Sequence, residues 1–253
     1  MTDGDGGAAV ETITVLVRPT SIAVDQDSFL RSGSDNTNEG ANLNMVVRDS
    51  GNNRALVSFD LSEISSGSGP IETTVLHLFI VQNGNNWGNE GRTIDAHQVT
   101  ENWAEGDGAN MKPGNLTNAE FTPYSHRGDG PGVTWKCAVD AEINNHSADC
   151  DPQWNGGTFD PTPSDMLTIF KDFDGNNDLP PTTQTLGWVE FEVTGDVNEC
   201  LANHSIQCSW LIKKTQEGQN GRVEFATKEG AMALYDAQFG ETVASHLVLS
   251  YQD

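Results

Sequence analysis

The chain has 253 residues, a formal net charge of −24 and a hydrophobic fraction of 36%. Phosphate binding needs clustered Lys and Arg, so this charge excludes nucleic acid as a partner and argues against docking on an anionic membrane. No run of about 18 apolar residues occurs, so no membrane insertion through a helix is predicted.

Glu11 to Arg18 alternates apolar and polar residues up to Pro19 and predicts a first strand, behind a Gly- and Asp-rich leader. Ser21 to Leu30 predicts a second. Met45 to Val47 and Arg54 to Leu61 flank Asp49 to Asn53, a segment with turn chemistry, and predict a hairpin. Thr73 to Val81 is nearly all apolar, as in a central sandwich strand, and Thr93 to Val99 predicts another. Residues 101–165 are rich in Gly, Pro and Asn and predict a long loop-rich insertion, with a short helix over Ala138 to Asn144. Beyond it, Trp188 to Val193 alternates with Val189, Phe191 and Val193 inward and Glu190 and Glu192 outward. Thr194 to Leu201 predicts a short helix with a capping residue at its start. Ser209 to Lys213, Arg222 to Thr227 and Ala244 to Tyr251 complete about ten strands. The pattern is that of an all-β chain, an antiparallel β-sandwich or jelly roll with one or two short helices. It divides into an arm, residues 1–18, and a single domain, residues 19–253.

The four cysteines form two close pairs in sequence, and neither pair is a C-x-x-C motif. Disulfides Cys137–Cys150 and Cys200–Cys208 would close two local loops and imply an oxidising, extracellular or cell-surface location. Sequons at Asn115, Asn145 and Asn203 fit a glycosylated, exported chain. The start of the chain is acidic and carries no visible signal peptide, so for an exported protein the signal has been removed or lies outside this sequence.

Four segments together resemble the DNRLRE (disaggregatase-related) domain family of secreted modules: Asp27 to Gly40, Asn53 to Leu61, Glu101 to Gly108 followed by Gly132 to Trp135, and Trp210 to Phe225. In the first, Glu39 stands where the family more often has an aromatic residue. The resemblance spans about residues 20–251 and implies a β-jelly-roll module of cell-wall, polysaccharide-degrading or surface proteins. It implies no catalysis and transfers no binding residues.

Several side chains could carry chemistry. Asp172, Asp174, Asn176 and Asp178 place oxygen ligands at short spacing around Gly175, which suits Ca2+, although the closing Glu of an EF-hand is absent. Asp25, Asp27, Asp35 and Glu39 form a second candidate cluster. The acidity as a whole has two compatible readings, solubility and cation binding. Trp87, Trp103 and Trp154 lie in loops rich in Asn or Gly and are candidates for stacking on sugar rings, whereas Trp188 and Trp210 lie in strands and read as core. Arg127 to Asp129 spells a cell-attachment tripeptide that chance explains. No hydrolase elbow, zinc-protease motif, P-loop or dinucleotide fingerprint is present. The sequence thus predicts a non-catalytic extracellular module that binds polysaccharide or organises a matrix. Two rivals are a filament subunit that self-associates by strand exchange through residues 8–18, and a polysaccharide lyase or hydrolase.

Overall fold

The computed structural model describes residues 20–49, 52–64, 69–83, 91–121, 125–170 and 186–252. The predicted arm, the Asp172 to Asp178 motif and Trp87 lie outside them. Among the described residues eleven strands form one antiparallel sheet that curls into a sandwich: β1 (Ser21–Ala23), β2 (Gln26–Arg31), β3 (Asn44–Arg48), β4 (Asn53–Asp60), β5 (Ile71–Asn83), β6 (Arg92–Gln98), β7 (Asp165–Ile169), β8 (Gly187–Glu192), β9 (Gln207–Lys214), β10 (Arg222–Ala226) and β11 (His246–Tyr251).

The longest strand, β5, organises the first half. One edge pairs with β11 and then with β10, with a bulge inside the β10 pairing; the other edge pairs with β8. β1 extends this half beyond β11. In the second half β4 lies between β2 and β9, and β9 leads to β6 and β7. The predicted hairpin joins the halves. Its strands form, but they pair only through Arg48 and Asn53 before diverging, β3 to β10 and β4 to β2 and β9. The hairpin is therefore a corner rather than a ribbon.

Alternation supplies the core. Phe29, Val57, Phe59 and Trp210 from the second half meet Leu76, Phe191, Phe225 and Leu247 from the first. All of these have 0% exposure, and each side chain of this size contributes about 1.5–3 kcal/mol on burial. Trp210 is core, as predicted, and packs edge-on to Phe59 with centroids 5.8 Å apart.

The insertion is a third layer rather than a free loop. Its Trp103, Val133, Ala138 and Trp154 pack on Leu30, Leu56 and Leu211, which face outward from the second half. Both predicted disulfides are present, Cys137–Cys150 in this layer and Cys200–Cys208 linking helix to strand. Asn38 fastens the layer to the connection between β2 and β3: its amide donates to the carbonyls of Glu105 (2.6 Å) and Val133 (2.8 Å) and accepts from the N–H groups of Gly40 (3.1 Å) and Gly108 (2.7 Å). A Cβ at Gly106 would meet the Asn38 amide at 2.5 Å, so glycine is required there.

Two helical expectations change, and one helical stretch is new. Over Ala138 to Asn144 the chain forms no helix; Asp140 bridges to Gly132 and only a 3-10 turn follows at Ile143–Asn145. The helix α2 (Thr194–Ala202), after the short α1 (Asn118–Phe121), forms as predicted. Its expected cap is turned away, because the Thr194 hydroxyl accepts from the β5 N–H of Thr74 at 2.7 Å. A helical stretch absent from the sequence reading runs through α3 (Lys228–Gly230), a π turn (Ala231–Tyr235) and α4 (Asp236–Phe239).

Candidate functional site: the open face of the first half

Strand register places one row of side chains across four strands, Ala23 (β1), His246 (β11), His77 (β5) and Glu190 (β8), all on the outward face. The next row is Ser21, Val248, Val75 and Glu192. Trp188 faces the same way opposite Phe79. Leu76, Val189, Phe191 and Leu247 are buried on the other side. The helical stretch and Val243 cover one end of this face, where Phe79 and Val81 are buried against Ala231 and Tyr235; beyond it, among the described residues, Ser21, Ala23, Thr73, Glu190, Glu192 and Val248 are exposed, and Trp188, His77 and His246 are half-buried.

The aromatic groups form one connected platform. The His77 and His246 rings stack in parallel at 4.8 Å. Trp188 stands edge-on to His246 at 4.9 Å, to Phe79 at 5.0 Å and to His77 at 6.0 Å. Phe239 of α4 closes one end against Phe79 at 4.8 Å. Burial and the stacked His246 pull the His77 imidazole below its usual range, against the pull of Glu190 at 3.7 Å. Burial thus favours the neutral form of His77, and the platform presents ring surface. Hydroxyls and carboxylates border it, with the Thr73 and Ser250 hydroxyls hydrogen-bonded at 2.7 Å and Glu190 projecting into solvent. Ring surface for C–H faces with polar groups at its margin is the chemistry that holds a sugar.

Trp188, His77 and His246 were not among the predicted ligand contacts. The period-two pattern that points Glu190 and Glu192 outward points Trp188 outward too, and that was the available signal. The loop candidates Trp103 and Trp154 sit in the second core at 6% and 7% exposure, and Trp154 donates its indole N–H to the Thr134 carbonyl at 2.9 Å. Trp135 is half-buried, and the Arg54 guanidinium lies 4.8 Å over its ring while bonding both Glu217 oxygens.

The acidic residues Asp25, Asp27, Asp35 and Glu39 do not converge. Glu39 is fully buried and accepts from Arg31, Asn42 and the N–H groups of Asn110 and Met111. Asp35 pairs with Lys136 at 3.0 Å. Asp25 is exposed and accepts from Gln207. Asp27 instead meets Glu105 and Glu229. Asn115, Asn145 and Asn203 all lie at exposed positions. The Asp129 carboxylate of the Arg127 to Asp129 tripeptide accepts from the Asn144 side chain, and the Arg127 carbonyl accepts from the Asn38 N–H.

Residues 18–117 match the family model described as carbohydrate-binding module family 96. This family is distinct from the DNRLRE family that the motifs resemble, although both are β-rich modules. No curated protein matches the chain. The match covers β1 to β6 and so includes His77, while Trp188 and His246 lie beyond it. It supports a carbohydrate-binding module.

Proposed function

We propose that the protein is a non-catalytic carbohydrate-binding module that works outside the cell and holds a polysaccharide on the open face of the first half. The observation that carries this reading is the platform of Trp188, His77 and His246 on the part of the sheet face that the helical stretch leaves open, in a chain whose first strands match a carbohydrate-binding family. Rings already fixed by packing lose little freedom when a sugar settles on them, which favours binding. The two disulfides suit an oxidising compartment.

The test is affinity electrophoresis of the full chain through gels containing neutral and acidic polysaccharides, with reducing ends assayed in parallel. The wild-type chain should be retarded by at least one polysaccharide and release no reducing ends. Trp188→Ala should weaken retention at least about tenfold, equivalent to about 1.4 kcal/mol, with an unchanged circular dichroism spectrum. Retardation equal in wild type and Trp188→Ala would move the site elsewhere, and release of reducing ends or unsaturated products would make the protein an enzyme.

A further inference from the structure

Three carboxylates from distant parts of the chain converge where β2, the insertion and α3 meet. One oxygen from each of Asp27, Glu105 and Glu229 lies within 4.8 Å of the others. Oxygens bound to one Ca2+ at about 2.3–2.6 Å can be at most about 5 Å apart, so the spacing suits a shared ion.

The hydrogen bonds inside the cluster leave two buried oxygens over. Glu105 accepts from the Asp27 N–H at 2.7 Å and from the Lys228 ammonium, which also donates to the Asp25 carbonyl at 2.8 Å. Asp27 Oδ2 accepts from the Lys228 N–H at 2.7 Å. Asp27 Oδ1 has no partner, although the residue has 0% exposure, and Glu229 Oε2 is buried without a partner as well. A buried carboxylate oxygen with nothing to accept from is costly, and two in one cluster mark the place of a missing positive group. The charge count agrees: three carboxylates and one ammonium sum to −2, which a divalent ion cancels.

Burial, with Glu229 and Glu105 beside it, pushes the Asp27 carboxyl well above its usual range, and burial also pushes Glu105 and Glu229 up. Each of these groups stands to gain from a bound cation.

We infer that Asp27, Glu105 and Glu229 form a binding site for a hard divalent cation, best fitted by Ca2+, that ties β2 to the insertion and to α3. The ion takes Asp27 Oδ1 and Glu229 Oε2 together with Glu105. Lys228, whose side chain is 30% exposed, has room to shift toward solvent. The site is remote in sequence from the Asp172 to Asp178 motif, and of the predicted acidic cluster it retains Asp27 alone.

The experiment titrates CaCl2 into the EDTA-stripped full chain by isothermal calorimetry and follows the melting temperature with and without CaCl2. The expected result is saturable uptake and a rise of several degrees in melting temperature. Glu229→Gln should lower the affinity at least about tenfold and remove most of the rise, while the ion-free variant keeps its near-ultraviolet circular dichroism. Asp27→Asn should do the same; should that variant fail to fold, the half-buried Glu229 decides. No uptake by the wild-type chain, or uptake of equal affinity in Glu229→Gln, would overturn the assignment.

Discussion

At the scale of single residues, polar groups hold what the apolar core does not reach. The Tyr235 hydroxyl donates to Asn44 Oδ1 at 2.5 Å and accepts from Asn115 at 2.8 Å. Asn44 in turn donates to Glu224 at 2.7 Å, which ties the helical stretch to β3 and β10. Burial pushes the Tyr235 phenol up to about 12, against the pull of the Asn115 and Asn44 bonds. Tyr235→Phe keeps the ring and deprives the buried Asn44 oxygen of its donor. It should cost about 1–3 kcal/mol in urea denaturation, and a change within about 0.5 kcal/mol would show that Asn44 finds another partner. None of these bonds is written in the spacing of the residues, because Asn44 and Tyr235 are 191 positions apart. Trp188 is the opposite case. Its orientation follows from the alternation with Glu190 and Glu192, and only its presence in a strand suggested a place in the core.

At the scale of elements, local pattern succeeds where a segment's own residues decide its state and fails where a distant partner decides. The cysteine pairs are local, and both bridges form between the expected residues. Their loops differ in length, with separations of 13 and 8 residues. Replacing Cys137 and Cys150 by Ser should therefore cost about 3 kcal/mol, against about 2.5 kcal/mol for Cys200 and Cys208, as loop-closure entropy predicts. Denaturation of the two double variants checks the order; a larger loss for the second pair would show that the helix-to-strand link matters more than chain entropy. The helical stretch after β10 was legible and overlooked. The Thr227 hydroxyl caps it by accepting from the Gly230 N–H at 2.9 Å, and Gly240 ends it at φ 74°. The splitting of the hairpin was not legible, because β3 and β4 take their main partners from β10, β2 and β9.

At the scale of the whole molecule, the two halves of the sandwich have different outer faces. The second half carries Leu30, Leu56 and Leu211 outward and needs the insertion to cover them. The first half buries Phe79 and Val81 under the helical stretch at one end, and over the rest carries serine, threonine, glutamate and an aromatic platform that meet solvent. The sequence announced an all-β sandwich with a long insertion, but which face the insertion covers depends on tertiary packing. That asymmetry locates the proposed glycan site. Hydroxyl-radical footprinting of the full chain, free and saturated with a polysaccharide that retains it, tests this placement of the site, because it reads the exposure of individual side chains. Oxidation of Trp188 should fall several-fold on binding, together with His77 and His246, while Trp135 on the far side stays unchanged. Protection of Trp135 with no change at Trp188 would place the glycan on the other half of the sandwich.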